Sequence, residues 1–161
     1  MKAKKIGFTV YGGSGALKFE PTVTEAGDPT LLIEAAIGEP TKYRWEDKII
    51  FQVTSRELPA LLATVFGWAP IFAASNHGAG NKSLMLENQG ENGRIFCRVS
   101  EGTKRVAVPI GPADAFSVGK LGLTQLALCS KCPIHDALEI LRLTTGRLLH
   151  NQAKANPSIS V

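Results

Sequence analysis

Long apolar runs are absent from this 161-residue chain. No stretch reaches the roughly 18 residues that a membrane-spanning helix requires, so a helical membrane protein is excluded and no membrane partner is expected. Cysteine is scarce. Three residues, an odd number, make no disulfide framework and fit a reducing compartment. No signal or transit peptide is expected either, because Met-Lys-Ala-Lys-Lys runs directly into a strand pattern. The expected location is therefore cytoplasmic, nucleoid association included. Strong charge of either sign is lacking too. With 20% charged and 44% hydrophobic residues, the chain reads as a soluble folded protein and not a disordered one.

Catalytic signatures are lacking as well. Gly78-Ala79-Gly80-Asn81-Lys82-Ser83 brushes against a phosphate-binding loop, but Asn81 stands where glycine should precede the lysine, and the first glycine is missing. Gly13-Ser14-Gly15 lacks the third glycine of a dinucleotide fingerprint and leads into a strand. Both read as turns. His77, His135 and His150 show no metalloenzyme spacing and have no marked nucleophile to activate. Cys129, Cys132 and His135, at i, i+3 and i+6, form the one constellation with metal-ligand chemistry. Pro133 breaks any continuous helix through them, and a fourth ligand is missing locally, with Cys97 the distant candidate, so no metal or other cofactor is expected. A non-enzymatic protein is the expectation.

What is present is alternation. Ile6, Phe8 and Val10 point one way and Gly7, Thr9 and Tyr11 the other; after Gly12 to Gly15, Leu17 and Phe19 alternate with Lys18 and Glu20. Two strands joined by a glycine-rich turn follow from that pattern. Leu31 to Ile37 and Lys48 to Thr54 also fit strands. Thr54 and Glu57 have capping-box spacing, and Leu58, Leu61, Leu62, Val65 and Phe66 then repeat as one helical face ending at Gly67, with Pro59 in the first turn. A short strand at Pro70 to Ala74 precedes three more, Lys82 to Asn88, Arg94 to Ser100 and Lys104 to Ile110, separated by turn signals at Gln89 to Gly93 and Glu101-Gly102. From Pro112 the pattern is helical, with Phe116, Leu121, Leu123, Leu126 and Leu128 apolar. Pro133 interrupts it before a further helix over about Ile134 to His150. Strand feeds into helix twice, which points to two similar halves in one α+β domain over residues 1–152, with 153–161 a flexible tail.

Charge is uneven along the chain. Residues 1–80 carry 8 Lys/Arg and 8 Asp/Glu, residues 81–161 carry 10 and 6, and the whole net charge of +4 sits in the second half. A pI near 9.1 is compatible with a polyanionic partner. Rings set beside cations on strand faces are the candidates for that contact, because bases stack on aromatics while lysine and arginine meet phosphate. They are Tyr11 and Lys18 on the first hairpin, Tyr43, Trp45 and Lys48 entering the fourth strand, and Lys82, Arg94, Phe96, Arg98 and Lys104 on the second sheet. Arg94, Phe96 and Arg98 share one face against Ile95, Cys97 and Val99, the polar-out alternation of any half-exposed strand. A phenylalanine between two arginines is less ordinary. Phe8, sharing its face with Ile6 and Val10, is assigned to the core.

These motifs give the chain a family likeness. It resembles the Whirly family of single-stranded DNA-binding proteins, relatives in fold of kinetoplastid guide-RNA-binding proteins and of a class of transcriptional coactivators. The family's Tyr-Lys-Gly-Lys-Ala-Ala-Leu signature lies on Tyr11-Gly12-Gly13-Ser14-Gly15-Ala16-Leu17, which keeps the tyrosine, Gly13, Ala16 and the leucine. Pro21 follows as in the family. Tyr43-Arg44-Trp45 with Phe51-Gln52-Val53-Thr54 resembles its Tyr-Asp-Trp and helix start, and Val108-Pro109-Ile110 its Ile-Pro-Ile. The likeness covers roughly Lys5 to Leu126. Both signature lysines are replaced, by Gly12 and Ser14, and the Cys-rich corner with its extra helix has no counterpart.

The resemblance implies two four-stranded antiparallel sheets, each followed by a helix, plus an extra C-terminal helix, in a homotetramer with helices at its centre and sheets outside. Single-stranded DNA, in preference to RNA, would run along the sheet edges with little sequence preference. Transcription regulation is among the implied roles. Leucine-rich helices carrying Leu138, Leu141, Leu148 and Leu149 agree with self-association, although the same leucines could complete a monomer core. The competing expectation is an oligomeric scaffold that keeps the fold and has lost nucleic-acid binding with the signature lysines.

Overall fold

The computed structural model describes residues 6–39, 41–78 and 80–156. Strands β1 (Phe8–Tyr11), β2 (Gly15–Val23) and β3 (Pro29–Glu39) form an antiparallel meander, with Val10 opposite Leu17 and Leu17 opposite Ala35. The fourth place in this sheet is shared. Two-residue β4 (Lys42–Tyr43) pairs with one end of β3, β5 (Ile49–Gln52) with the middle, and a 3-10 turn at Trp45–Asp47 separates them. The expected strand from Lys48 to Thr54 is thus shorter, and an extra bridge precedes it.

Helix α1 (Leu58–Val65) follows, and its start is the expected capping box. The Thr54 amide donates to Glu57 Oε1 at 2.9 Å, and the Glu57 amide donates to Thr54 Oγ1 at 3.1 Å. The second sheet is a meander of β6 (Ile71–His77), β7 (Lys82–Gln89), β8 (Arg94–Glu101) and β9 (Lys104–Ile110) in that order. β6 is longer than the run from Pro70 to Ala74 implied. Its far end is irregular, with a register shift between Ala74 and His77 and Asn76 in left-handed backbone, and this hid it from strict alternation.

Helix α2 (Pro112–Ser130) closes the second half and ends at Lys131, whose φ is 54°, before Pro133. Then α3 (Ile134–Leu141), a five-residue π turn at Arg142–Gly146 and α4 (Arg147–Ala155) form one continuous helical run. Helix therefore covers residues 153–155, where the tail was expected to begin. Residues 157–161 lie outside the described residues.

Both sheets and the first two helices share a single core. Leu17, Phe19, Leu31, Ile33 and Phe51 from the first sheet meet Leu84, Cys97, Val99 and Val108 from the second, with Leu58, Leu61 and Leu62 of α1 and Val118 of α2 between them. Gln125, 6% exposed on α2, donates to the Thr22 and Thr30 carbonyls and ties that helix to the first sheet. The middle of each inward face is apolar, so polar side chains are left to the outward faces and to the sheet ends.

Candidate nucleic-acid interface

On the first sheet the pairing register puts Thr9, Lys18, Glu34 and Ile50 in one outward row, and Tyr11, Ala16 and Ala36 in the next. Tyr11 is 64% exposed, and its ring centroid lies 5.3 Å from that of Tyr43 at a 50° tilt. The Tyr43 hydroxyl donates to the Gly12 carbonyl at 2.8 Å, which fixes the ring against the hairpin turn. Gly38 makes this possible. A Cβ there would lie 2.9 Å from the Tyr43 ring and 2.9 Å from the Gly15 amide nitrogen, closer than packed atoms approach. The result is an aromatic pair with one ring open to solvent and the other anchored.

The cations of this face are not free. Lys18 Nζ sits 2.6 Å from Glu20 Oε1, and Lys48 Nζ 2.9 Å from Glu34 Oε2. The hydrogen bond to Glu20 raises the Lys18 pKa, against a smaller opposing effect of desolvation. Trp45 is half-buried on the 3-10 turn.

Lys82 and Lys104 lie off the outward face. Each shares strand parity with inward residues, Lys82 with Leu84 and Leu86, Lys104 with Val106 and Val108. Lys82 Nζ donates to the Ile50 carbonyl at 2.8 Å and lies 3.6 Å from Glu101 Oε2; Lys104 Nζ lies 2.7 Å from Asp47 Oδ1. Both lysines clamp the end of the second sheet onto β5 and the turn after Trp45. The hydrogen bond from Lys104 holds the Asp47 carboxyl below its usual range and raises Lys104 in return.

The outward face of the second sheet is different in charge. Arg94, Phe96, Arg98 and Ser100 project from β8 beside Ser83, Met85 and Glu87 of β7 and Arg105 and Pro109 of β9. Three guanidiniums stand there against one carboxylate, Glu87. Arg94 Nε donates to Gln89 Oε1 at 2.7 Å, Arg98 lies 3.8 Å from the Met85 sulfur, and Phe96 is half-buried between them. Arg105 is exposed and has no carboxylate partner among the described residues. Sequence reading missed it by choosing its neighbour Lys104. The signal was available, because Val106, Val108 and Ile110 fix the inward parity and leave 105 outward.

The two stations meet at β9. A Cβ on Gly12 would lie 3.2 Å from Val108 Cγ1, and Ser14 Oγ donates to the Ala107 carbonyl at 3.4 Å, so the hairpin turn that carries Tyr11 rests on the edge strand bearing Arg105 and Pro109. Of the two positions where the resembled signature has lysine, Gly12 serves close packing and Ser14, exposed, donates a hydrogen bond to β9. Cys129 lies in α2, Cys132 in the turn after it and an exposed His135 in α3, and among the described residues no three metal-binding side chains converge. Cys97 is buried, and burial pushes its thiol up to about 12.

No family model and no curated protein sequence matches the chain. Among solved structures it is similar to that of the plant transcriptional regulator PBF-2, with a TM-score of 0.59 over 100% of this chain and 99% of that one, at 14% identity. At that identity the likeness is one of fold. It agrees with the two-sheet α+β architecture that the Whirly resemblance implied.

Proposed function

We propose that this protein binds single-stranded nucleic acid, DNA in preference to RNA, with little sequence preference and without catalysis. The observation that carries the reading is the second sheet's outward face, where Phe96 stands between Arg94 and Arg98 on β8 with Arg105 outward on β9, together with the exposed Tyr11 beside Tyr43 on the first sheet. Bases stack on the rings while guanidiniums neutralise phosphates, a mode indifferent to base identity. Tyr11, Tyr43, Arg94, Phe96, Arg98 and Arg105 are the contacts. Lys18, Lys48 and Trp45 lie at the margin, since both lysines must leave carboxylates first. Lys82 and Lys104 support the frame instead. The likeness to the plant transcriptional regulator PBF-2 makes control of transcription, in the cytoplasm or on a nucleoid, the role to test first.

Self-association belongs to the same reading. Phe116 is 72% exposed beside a groove of about 460 Å³ lined by Val65, Phe66, Leu123 and Ile134, apolar area that a tetramer with helices at its centre would cover. A second reading, an oligomeric scaffold without nucleic acid, draws on the internal pairing of Lys18, Lys48, Lys82 and Lys104. Anisotropy with a labelled single strand of about 30 nucleotides, against duplex and RNA at two salt concentrations, separates the two. Tight, salt-sensitive preference for the single strand supports binding; no affinity for any of the three leaves the scaffold.

A further inference from the structure

Helix α4 carries two further cations, Arg147 and Lys154, that nothing in the site described above uses. No residue of α4 is buried. Arg147, His150, Asn151 and Lys154 are all exposed and fall at i, i+3, i+4 and i+7, one stripe of a helix. None of the four has a hydrogen-bond or ion-pair partner among the described residues, and no carboxylate side chain follows Glu139 in the sequence. Leu149 and Ala153, half-buried, take the opposite side. The stripe therefore offers a guanidinium, an imidazole, an amide and an ammonium to solvent, a donor set suited to phosphate oxygens.

The helix also starts in the right place. At Gly146 a Cβ would lie 2.6 Å from the Trp68 ring, so the root of α4 is seated against Trp68. Two residues on, the Pro70 carbonyl accepts the Asn88 amide at 2.8 Å, and the adjacent Gln89 holds Arg94. The root of α4 thus lies near the Arg94 end of the second sheet, and its nine residues, at about 1.5 Å each, make a helix about 14 Å long.

We propose that the Arg147, His150, Asn151 and Lys154 stripe is a second phosphate-binding surface that takes up a single strand after it leaves the Arg94 end of the sheet. This rests on the nucleic-acid reading and adds that the site is longer than the sheet. The test is the double variant Arg147→Gln and Lys154→Gln, glutamine being a good helix former, with circular dichroism as the check that α4 persists. Binding is measured against salt for strands of about 8 and about 30 nucleotides. The expected result is an unchanged 8-mer affinity and, for the 30-mer, a log–log salt slope shallower by about 1.4, two phosphate contacts at about 0.7 each. Equal slopes for variant and wild type on the 30-mer, while wild type still binds, overturn the proposal and leave the sheet site intact. So does a variant that binds both strands normally but loses co-sedimentation with phosphatidylserine vesicles, which assigns the stripe to an anionic membrane. Wild type binding neither strand overturns the underlying reading, and this inference with it.

Discussion

Neighbouring residues 104 and 105 are both cations, and their opposite fates follow from strand parity alone. Lys104 points inward to Asp47 and Arg105 outward to the basic face. Arg105→Gln is therefore expected to weaken single-strand binding and lower the salt slope by about 0.7 with no change in melting temperature. Lys104→Gln should do the reverse, lowering the melting temperature and sparing the slope. Anisotropy titrations and thermal unfolding on the two variants check this, and equal effects on binding would sink the assignment. Phe96→Ala belongs beside them: loss of one stacking ring is worth about 1 to 3 kcal/mol, or about 5- to 150-fold in affinity. The ring-and-arginine run of β8 was readable from composition and alternation. Lys82 and Lys104 were chosen on charge, without the parity of the apolar residues beyond them, which turns both toward carboxylates and the Ile50 carbonyl.

Among the elements, the capping box, the glycine-rich hairpin turn and the three alternating strands of the second half were legible because each is written in local chemistry. What was not legible depends on tertiary contact. The division of the fourth strand into β4 and β5, with a 3-10 turn between, has no periodic signal, and the Tyr11–Tyr43 pair needs Gly38 to let a ring and a turn approach. That 3-10 turn is pinned to β9 by the Asp47–Lys104 contact, which gives it a defined pH response. Asp47 is held below the ordinary carboxylate range by the hydrogen bond from Lys104. Its stabilising share is full above the unfolded-state pKa and is lost only as pH falls through the lowered folded-state value. The turn should stay docked through the ordinary carboxylate range and release below it. In Lys104→Gln the Asp47 carboxyl should titrate near its usual value, a shift readable by carboxyl carbon NMR. An Asp47 titration that does not move in the variant would refute the link.

At the scale of the molecule, exposed rings and cations on the sheets contrast with large exposed apolar side chains on the helices. Tyr11, Arg94, Arg98 and Arg105 are exposed on outward sheet faces, and Phe116, Leu128, Ile134 and Ile140 are exposed on the helices, each about half open or more. The proposed assembly through helices, with sheets directed outward, would cover this apolar surface. Phe116→Glu tests that arrangement, because a side chain 72% exposed contributes little to the monomer fold. The expected outcome is a smaller species by light scattering, with melting behaviour altered only through lost association. Nucleic-acid binding then discriminates further. If each sheet face acts alone, the dissociated variant keeps its affinity for a short strand and loses only the avidity gained by a long strand that touches several copies. If it loses short-strand binding as well, the site is completed by a neighbouring copy. A variant that remains the size of the wild type would place the contact away from Phe116 and remove the helices from the centre of the assembly.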